Sequence, residues 1–448
     1  MESILEETAG RATRYVRDLG TQRVAPLPEA VRALDRLGGE LPEEGLEPSA
    51  VIALLDQVGS PATVASAGGR YFGFIVGSAL PAALAADWLA SAWDQNAAMT
   101  VMSPVAARLE QISVGWVREI FGLPGGSQGA LVTGDTMANL TCLAAARQAV
   151  LQRDGWDVAR QGLQGAPAVT VVASDEVHVS VLKALSVLGL GRDRVVRVPV
   201  DDQGRMRPER LPRLNGPSIV CAQAGNVNSG SFDPVGAVCD LAHDAGAWVH
   251  VDGAFGLWAR ASPRLRPLVD GVERADSWAT DCHKWLNVPY DCGIAFTREP
   301  GALPAAMAMP PAAYLATTSP TEPMDAVPEM SRRARGVTCW AALRSLGRSG
   351  LAALVERTCG FARTFADRLR AAGFTVLNDV VLNQVLVSFG SDAETRRVIA
   401  EVQQEGTLWA GPTVWHGVTA MRLSVSSWAT TADDVDASIE ALVRIARR

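Results

Sequence analysis

The run AWVHVDGAFG at residues 247–256, followed by ADSWATDCHKWLNVPYDCGIAF at 275–296, decides the reading of this 448-residue chain. The first part is an apolar strand ending in an acid, Asp252. The second carries His283 and Lys284 between a strand-like segment and a Pro-Tyr-Asp turn. An acid at the C-terminal end of a strand in a parallel sheet stands where such sheets bind ligands. Trp285 and Leu286 follow Lys284 directly and predict a buried neighbourhood, in which an amine pKa falls and the free base becomes nucleophilic. Taken singly, Asp252 reads equally well as a turn acid and Lys284 as a surface lysine. In order, they read as two parts of one site.

Working outward, strand-like runs recur at 168–174, 194–200, 218–224, 247–252, 276–280 and 292–297, with helical patterns at 136–150, 179–188 and 233–245 between them. Apolar strands alternating with helices predict a largely parallel sheet covered on both faces. Upstream, Pro26, Pro28, Pro42 and Pro48 break the first 60 residues into short helices. Ala- and Trp-containing stretches up to Phe121 show apolar residues at helical spacing. Downstream, the Pro-, Ala- and Met-rich stretch 301–328 reads as a mobile loop. A helix at 331–347 and a unit mixing helices with short strands at 382–390 and 420–427 follow. The expected organisation is an N-terminal helical segment 1–67, a large domain 68–300, a loop and connecting helix 301–350, and a small C-terminal domain 351–448.

Composition bounds the function. Hydrophobic residues make up 48% and charged residues 20%, with net charge −7. An acidic chain lacks the concentrated Lys and Arg that nucleic acid needs. Arg332, Arg333 and Arg335 form a short cluster that reads as a solvated helix start or linker contact. No apolar run reaches a membrane-spanning length, and the charged N-terminus lacks a signal-peptide core. The seven Cys show no CxxC spacing and read as reduced cytoplasmic thiols. The five His show no HxH or HxxxH spacing, so no metal site is expected.

Two further motifs join the site. LVTGDTMANL (131–140) is a strand end, a Gly turn and a helix start. Such a helix N-terminus offers amides to a phosphate, with Thr136 adding a hydroxyl. By itself Gly-Asp-Thr is only a turn and cap. His178, in SDEVHVSV, follows a strand and opens a helix. By itself it is a structural His. With a lysine for a Schiff base and a carboxylate to hold a pyridine nitrogen protonated, these are the parts that pyridoxal phosphate chemistry requires.

The ordered set TGDTMAN, SDEVHVS, HVDGAFG, DCHKWLNVPYDCG and the RRARG–W–LRSLG helix resembles the group II pyridoxal-phosphate decarboxylases, which act on aromatic amino acids, histidine or glutamate. The likeness runs from about Gly68 to the C-terminus. It implies a fold-type-I α/β enzyme: a mostly parallel seven-stranded sheet flanked by helices, an N-terminal helical segment and a smaller C-terminal α+β domain. It implies that Lys284 is the Schiff-base lysine, Asp252 the partner of the pyridine nitrogen, Ala254 the small residue under the ring and His178 the residue stacked over it, placed to assist proton transfer. Asp135 and Thr136 fall at the phosphate, His283 precedes the lysine as in the family, and Asn226 matches a polar position near the ring oxygen. Arg422 falls where the superfamily often places a carboxylate-binding or interface Arg.

Two departures stand out. The family commonly has Asn where this chain has Asp281, and an acid near a phosphate is repelled unless protonated or turned away. The family also usually carries a Tyr on a loop after the lysine, which returns a proton to the carbanion. Residues 315–330 contain none, and Tyr314 lies just before them. The expected function is pyridoxal phosphate-dependent decarboxylation of an L-amino acid with an aromatic or bulky apolar side chain, in a cytoplasmic homodimer. The alternatives are an aldolase-like C–C lyase or decarboxylation-deamination to an aldehyde. Tyr71, Phe72, Phe74, Trp88 and Trp93 read as pocket lining or as core.

Overall fold

Four consecutive runs rich in β-branched and small apolar residues form strands buried on both faces: β4 (Ser218–Gln223), β5 (Trp248–Asp252), β6 (Ser277–Asp281) and β7 (Gly293–Thr297). Continuous burial is what a strand needs when helices cover both sides of its sheet. The computed structural model describes residues 1–310 and 321–448. Together with β1 (Gln128–Val132), β2 (Thr170–Ser174) and β3 (Val196–Val198), these strands form the expected seven-stranded sheet, in the order β1-β7-β6-β5-β4-β2-β3. The pairs β2–β3, β2–β4, β4–β5 and β5–β6 are parallel; β7 runs antiparallel to both β1 and β6. It follows that β1 points the same way as β6. The C-terminal ends of β1, β2, β4, β5 and β6 therefore share one edge of the sheet.

The helix Asp135–Arg153 leaves β1 at that edge and is buried on most of its faces. Small residues such as Ala138, Ala144, Ala145 and Ala146 let it lie close to the strands. Its entry is tight: a Cβ at Gly293, the first residue of β7, would stand 2.7 Å from the Cα of Gly134. Four Trp are fully buried, and each satisfies its ring N–H. Trp248 donates to Ser277 Oγ and Trp258 to the Asp281 carbonyl, so two of them brace the edge that carries Asp252 and Lys284.

The chain divides into two units. One is Gly77–Gly360 with Asn378–Gln384 and holds the large sheet. The other is Met1–Val76, Phe361–Leu377 and Val385–Arg448. Its short helices Pro28–Ala33 and Pro48–Gly59 begin at proline, which suits the first helical turn. A second sheet is made of β8 (Thr375–Val376), β9 (Gln384–Ser388), β10 (Gly411–Trp415) and β11 (Val418–Ser424), ordered β10-β11-β9-β8. The structure thus groups the N-terminal helices with the C-terminal unit, where the sequence suggested separate segments at 1–67 and 351–448.

Two local expectations change. Within 301–328, Ala302–Met307 is a helix whose Ala302 and Leu303 are buried, and Pro323–Ala326 is a 3₁₀ turn. The remainder of the expected loop, with Tyr314, includes residues 311–320, which lie outside the described residues. Of the Arg cluster, Arg333 is exposed as expected, but Arg332 and Arg335 are buried. Arg332 is buried, donates to Glu110 Oε1 at 2.8 Å and to the Leu131 carbonyl at 2.6 Å, and so pins the end of β1. Burying this cation is tolerable because it is paired and hydrogen-bonded.

Candidate active site

The shared edge gathers residues from five elements. Lys284, just past β6, places Nζ 3.1 Å from Asp281 Oδ2, and His283 Nε2 lies 3.4 Å from the same oxygen. Asp281 Oδ1 accepts the backbone N–H of Asp135 at 2.6 Å. One carboxylate therefore ties the lysine to the first turn of the helix Asp135–Arg153. The backbone at Lys284 is pressed from outside: a Cβ at Gly77 would overlap the Lys284 carbonyl.

The electrostatics overturn one expectation. Burial alone pulls the Lys284 pKa down, but Asp281, Asp135 and Asp252 more than offset it, and the pKa ends above its usual value. The amine is held as the cation and is not a free base. For Asp135, burial, then the charges of Asp252 and Asp281, push the pKa well up, against the pull of Lys284. Like charges crowded into one buried site disfavour one another's charged forms.

Asp252 ends β5 with both oxygens engaged. Oδ1 accepts from Ala254 N at 3.2 Å and Oδ2 from Asn139 Nδ2 at 3.3 Å. Asn139 Nδ2 also donates to Asp135 Oδ2 at 2.9 Å and Ser180 Oγ at 3.1 Å. Its orientation is set from behind. Trp248 Nε1 can only donate, and does so to Ser277 Oγ at 2.8 Å; the hydroxyl proton then goes to His250 Nδ1 at 2.9 Å. His250 must carry its proton on Nε2, which donates to Asn139 Oδ1 at 2.7 Å. Both hydrogens of Asn139 Nδ2 are left for the acids and Ser180. Burial lowers the His250 pKa to about 4, against the pull of Asp252, so the ring is neutral.

His178 caps the helix Val179–Val187. Its Nδ1 accepts from Ser180 N at 3.2 Å and faces Ser180 Oγ at 2.7 Å. A ring nitrogen of His178 and one oxygen each of Asp135 and Asp252 lie within 4.8 Å of one another. Asn226, at the end of β4, is built into a turn: its Oδ1 accepts from Asn228 N and Ser229 N, and its buried Nδ2 has no hydrogen-bond partner. Thr136 is exposed beside Asp135. The structure thus brings Lys284, His283, Asp135, Asp252, Ala254 and His178 together, and leaves Asn226 and Thr136 at the ends of neighbouring elements.

Sequence reasoning missed Asn139, Ser180, His250 and Ser277. Two of them had a signal: Asn139 is four residues after Asp135 on one helix face, and His250 is two before Asp252 on one strand face. Of the five aromatic residues read as pocket lining or core, Tyr71 and Phe72 are core. Tyr71 stacks on Trp409 and Phe72 packs edge-on against Phe365. Phe74, Trp88 and Trp93 are exposed.

These residues suit pyridoxal phosphate. A carboxylate with both oxygens oriented, a lysine among acids and an unpartnered buried donor on Asn226 match the groups of such a ring. At the phosphate end, Asp281 Oδ1 occupies the Asp135 amide and would have to yield it.

The family model for the pyridoxal-dependent decarboxylase conserved domain matches residues 66–390, well over half of the chain. Tryptophan decarboxylase 1 of Oryza sativa subsp. japonica is 29% identical over 399 residues, covering 80% of this chain and 76% of that protein. Phenylacetaldehyde synthase of Petunia hybrida is 26% identical over 318 residues, covering 66% of this chain and 62% of that protein. The crystal structure of Oryza sativa TDC with PLP and tryptamine superimposes with a TM-score of 0.91 at 25% identity, covering 100% of this chain and 97% of that one.

Proposed function

The chain belongs to the pyridoxal-dependent decarboxylase family, and from that membership we propose that it removes CO₂ from an L-amino acid with an aromatic or bulky apolar side chain, releasing the amine. The observation that carries the assignment to particular residues is the placing of Lys284 Nζ 3.1 Å from Asp281, on the sheet edge where Asp252 ends β5. The side-chain class rests on the relatives, one a tryptophan decarboxylase.

In this reading Lys284 anchors the cofactor, Asp252 holds its ring nitrogen, Ala254 and His178 flank the ring, Asn226 meets its oxygen, and Asp135, Thr136 and His283 serve its phosphate end. When bound, pyridoxal phosphate supplies a ring that takes up the electron pair left by departing CO₂. The protein's own part is proton control. Lys284 Nζ must shed a proton before it acts as a nucleophile, and Asp281 Oδ2 is the acceptor in reach. Asn139 donates to both Asp252 and Asp135 and so fixes the two acids side by side at the end of β5. His178, beside Asp252, is the candidate acid that returns a proton to the substrate Cα. Tyr290 is a second candidate, since its ring lies 4.5 Å from that of His283.

Aldehyde formation is the second reading. It draws on the phenylacetaldehyde synthase relative and on the absence of Tyr from residues 315–330. One experiment separates the two. Purified protein with added pyridoxal phosphate is offered the proteinogenic L-amino acids, with CO₂, amine and aldehyde all measured. CO₂ with amine supports the first reading, CO₂ with aldehyde supports the second, and no CO₂ from any amino acid refutes both.

The proposal includes a cytoplasmic homodimer. The helix Glu2–Asp18 buries no residue within this chain, and Trp88, Leu89 and Trp93 are exposed on the helix Pro81–Trp93. Apolar surface of that kind calls for a partner. Among the described residues no helix is long and apolar enough to cross a membrane. Light scattering at micromolar concentration should give twice the 47.3 kDa chain mass.

A further inference from the structure

Three cysteines from three separate elements meet behind Lys284. Cys282 directly follows β6, Cys292 precedes β7 and Cys339 lies in the helix Arg335–Ala371. All three are free and fully buried, and their sulfurs lie within 4.8 Å of one another. Cys292 Sγ and Cys339 Sγ are 3.3 Å apart. The spacing of the cysteines in sequence hides this triangle completely.

We propose that Cys282, Cys292 and Cys339 form a binding site for a trivalent thiophilic centre of the arsenite class, held by three sulfurs. Charge selects this ligand. A divalent ion among three thiolates would leave a net negative charge in a site with no solvent, and uncompensated buried charge is expensive. Arg335 is nearby but already engaged, its Nε donating to Asp291 Oδ1 at 2.7 Å. A trivalent centre with three thiolates is neutral. Geometry agrees. Zinc takes four ligands in a tetrahedron, and among the described residues the group offers three. A pyramidal three-coordinate centre keeps its sulfurs close together, as they already are. A disulfide would join two sulfurs and leave the third idle.

The step balances without a redox partner. Arsenous acid, As(OH)₃, exchanges three As–O bonds for three As–S bonds. Each thiol proton leaves with one hydroxyl as water, and arsenic stays trivalent. The surface is near in sequence: Asp291, next to Cys292, is exposed, and its ion pair with Arg335 lies one helical turn from Cys339.

The site would register in the active centre. The Cys292 carbonyl accepts the backbone N–H of Cys282 at 3.0 Å and faces His283 Nδ1 at 3.1 Å. The test, however, needs no turnover. Full-length folded protein is incubated with sodium arsenite, freed of excess, and examined by native mass spectrometry and by thiol titration after denaturation. The expected result is one arsenic per chain and loss of three of the seven thiols. Cys339→Ser and Cys282→Ala, each shown to be folded by a cooperative melt, should take up no arsenic at the same concentration. The proposal fails if folded wild-type protein keeps all seven thiols, or if either folded variant binds arsenic as the wild type does.

Discussion

Asp281 Oδ1 accepts the Asp135 backbone N–H at 2.6 Å, while Oδ2 of the same carboxylate stands 3.1 Å from Lys284 Nζ. A single acid thus competes for the amide that a phosphate would use and holds the lysine as a cation. Asp281→Asn keeps an oxygen that can accept the Asp135 N–H but removes the negative charge that favours the lysine cation and repels a phosphate. Affinity for pyridoxal phosphate should rise by roughly tenfold, about 1.4 kcal/mol. The Lys284 pKa, raised in part by Asp281, should fall. Absorbance titration with the cofactor across pH checks both, and unchanged or weaker binding would refute the charge repulsion.

The cofactor linkage can be located without ambiguity, because the chain has only two lysines, Lys183 and Lys284. Lys183 is exposed on the helix Val179–Val187. Borohydride reduction followed by peptide mapping should label Lys284, and Lys284→Ala should abolish the label. A label on Lys183 would overturn the assignment.

Asp252→Asn should lower kcat by at least ~100-fold, the scale of losing a preorganised electrostatic partner, with a smaller effect on cofactor affinity. His178→Asn should lower kcat or shift the product from amine toward aldehyde, read by running the same assay under air and under nitrogen. Amine formed at full rate by the His178 variant would remove His178 from proton return and leave Tyr290→Phe as the next variant to measure.

His250 makes the pH dependence of stability testable. Its folded pKa, about 4, lies below the usual 6.5, so the unfolded chain binds more protons between these values. Its contribution is complete above pH 6.5 and is lost as pH falls toward 4, by up to ~3 kcal/mol. Asp233, raised to about 6 by burial, acts with the opposite sign over part of that range. The difference between wild type and His250→Gln isolates the histidine. Denaturant melts at pH 4.5 and 7 should show the variant losing less stability on acidification than the wild type.

Much of the site was legible because its chemistry sits at punctuation marks. Asp252 closes a strand, His283 and Lys284 follow one, and His178 opens a helix. What stayed hidden depends on contacts between distant elements. Asn139, Ser180 and His250 look ordinary until two helices and two strands converge. Arg332 read as solvated because its partner, Glu110, lies 222 residues away. Residues 302–307 read as loop because prolines flank and interrupt them, yet Ala302 and Leu303 find a place in the core beside the helix Asp135–Arg153. The lysine's charge state also eluded the sequence. Burial was legible from Trp285 and Leu286, but the three acids that outweigh it come from three elements.

The row of donors from Trp248 through Ser277, His250 and Asn139 ends at Asp252 with every hydrogen pointing the same way. Aligned bond dipoles present a positive end to the carboxylate without carrying any net charge. Such a field has no ion for salt to screen, and it lies in a core from which counter-ions are excluded. Asp252 should therefore keep its orientation across ionic strengths that alter the interactions of every charge on the surface. That makes the chain of neutral groups a more durable support than a charged partner would be.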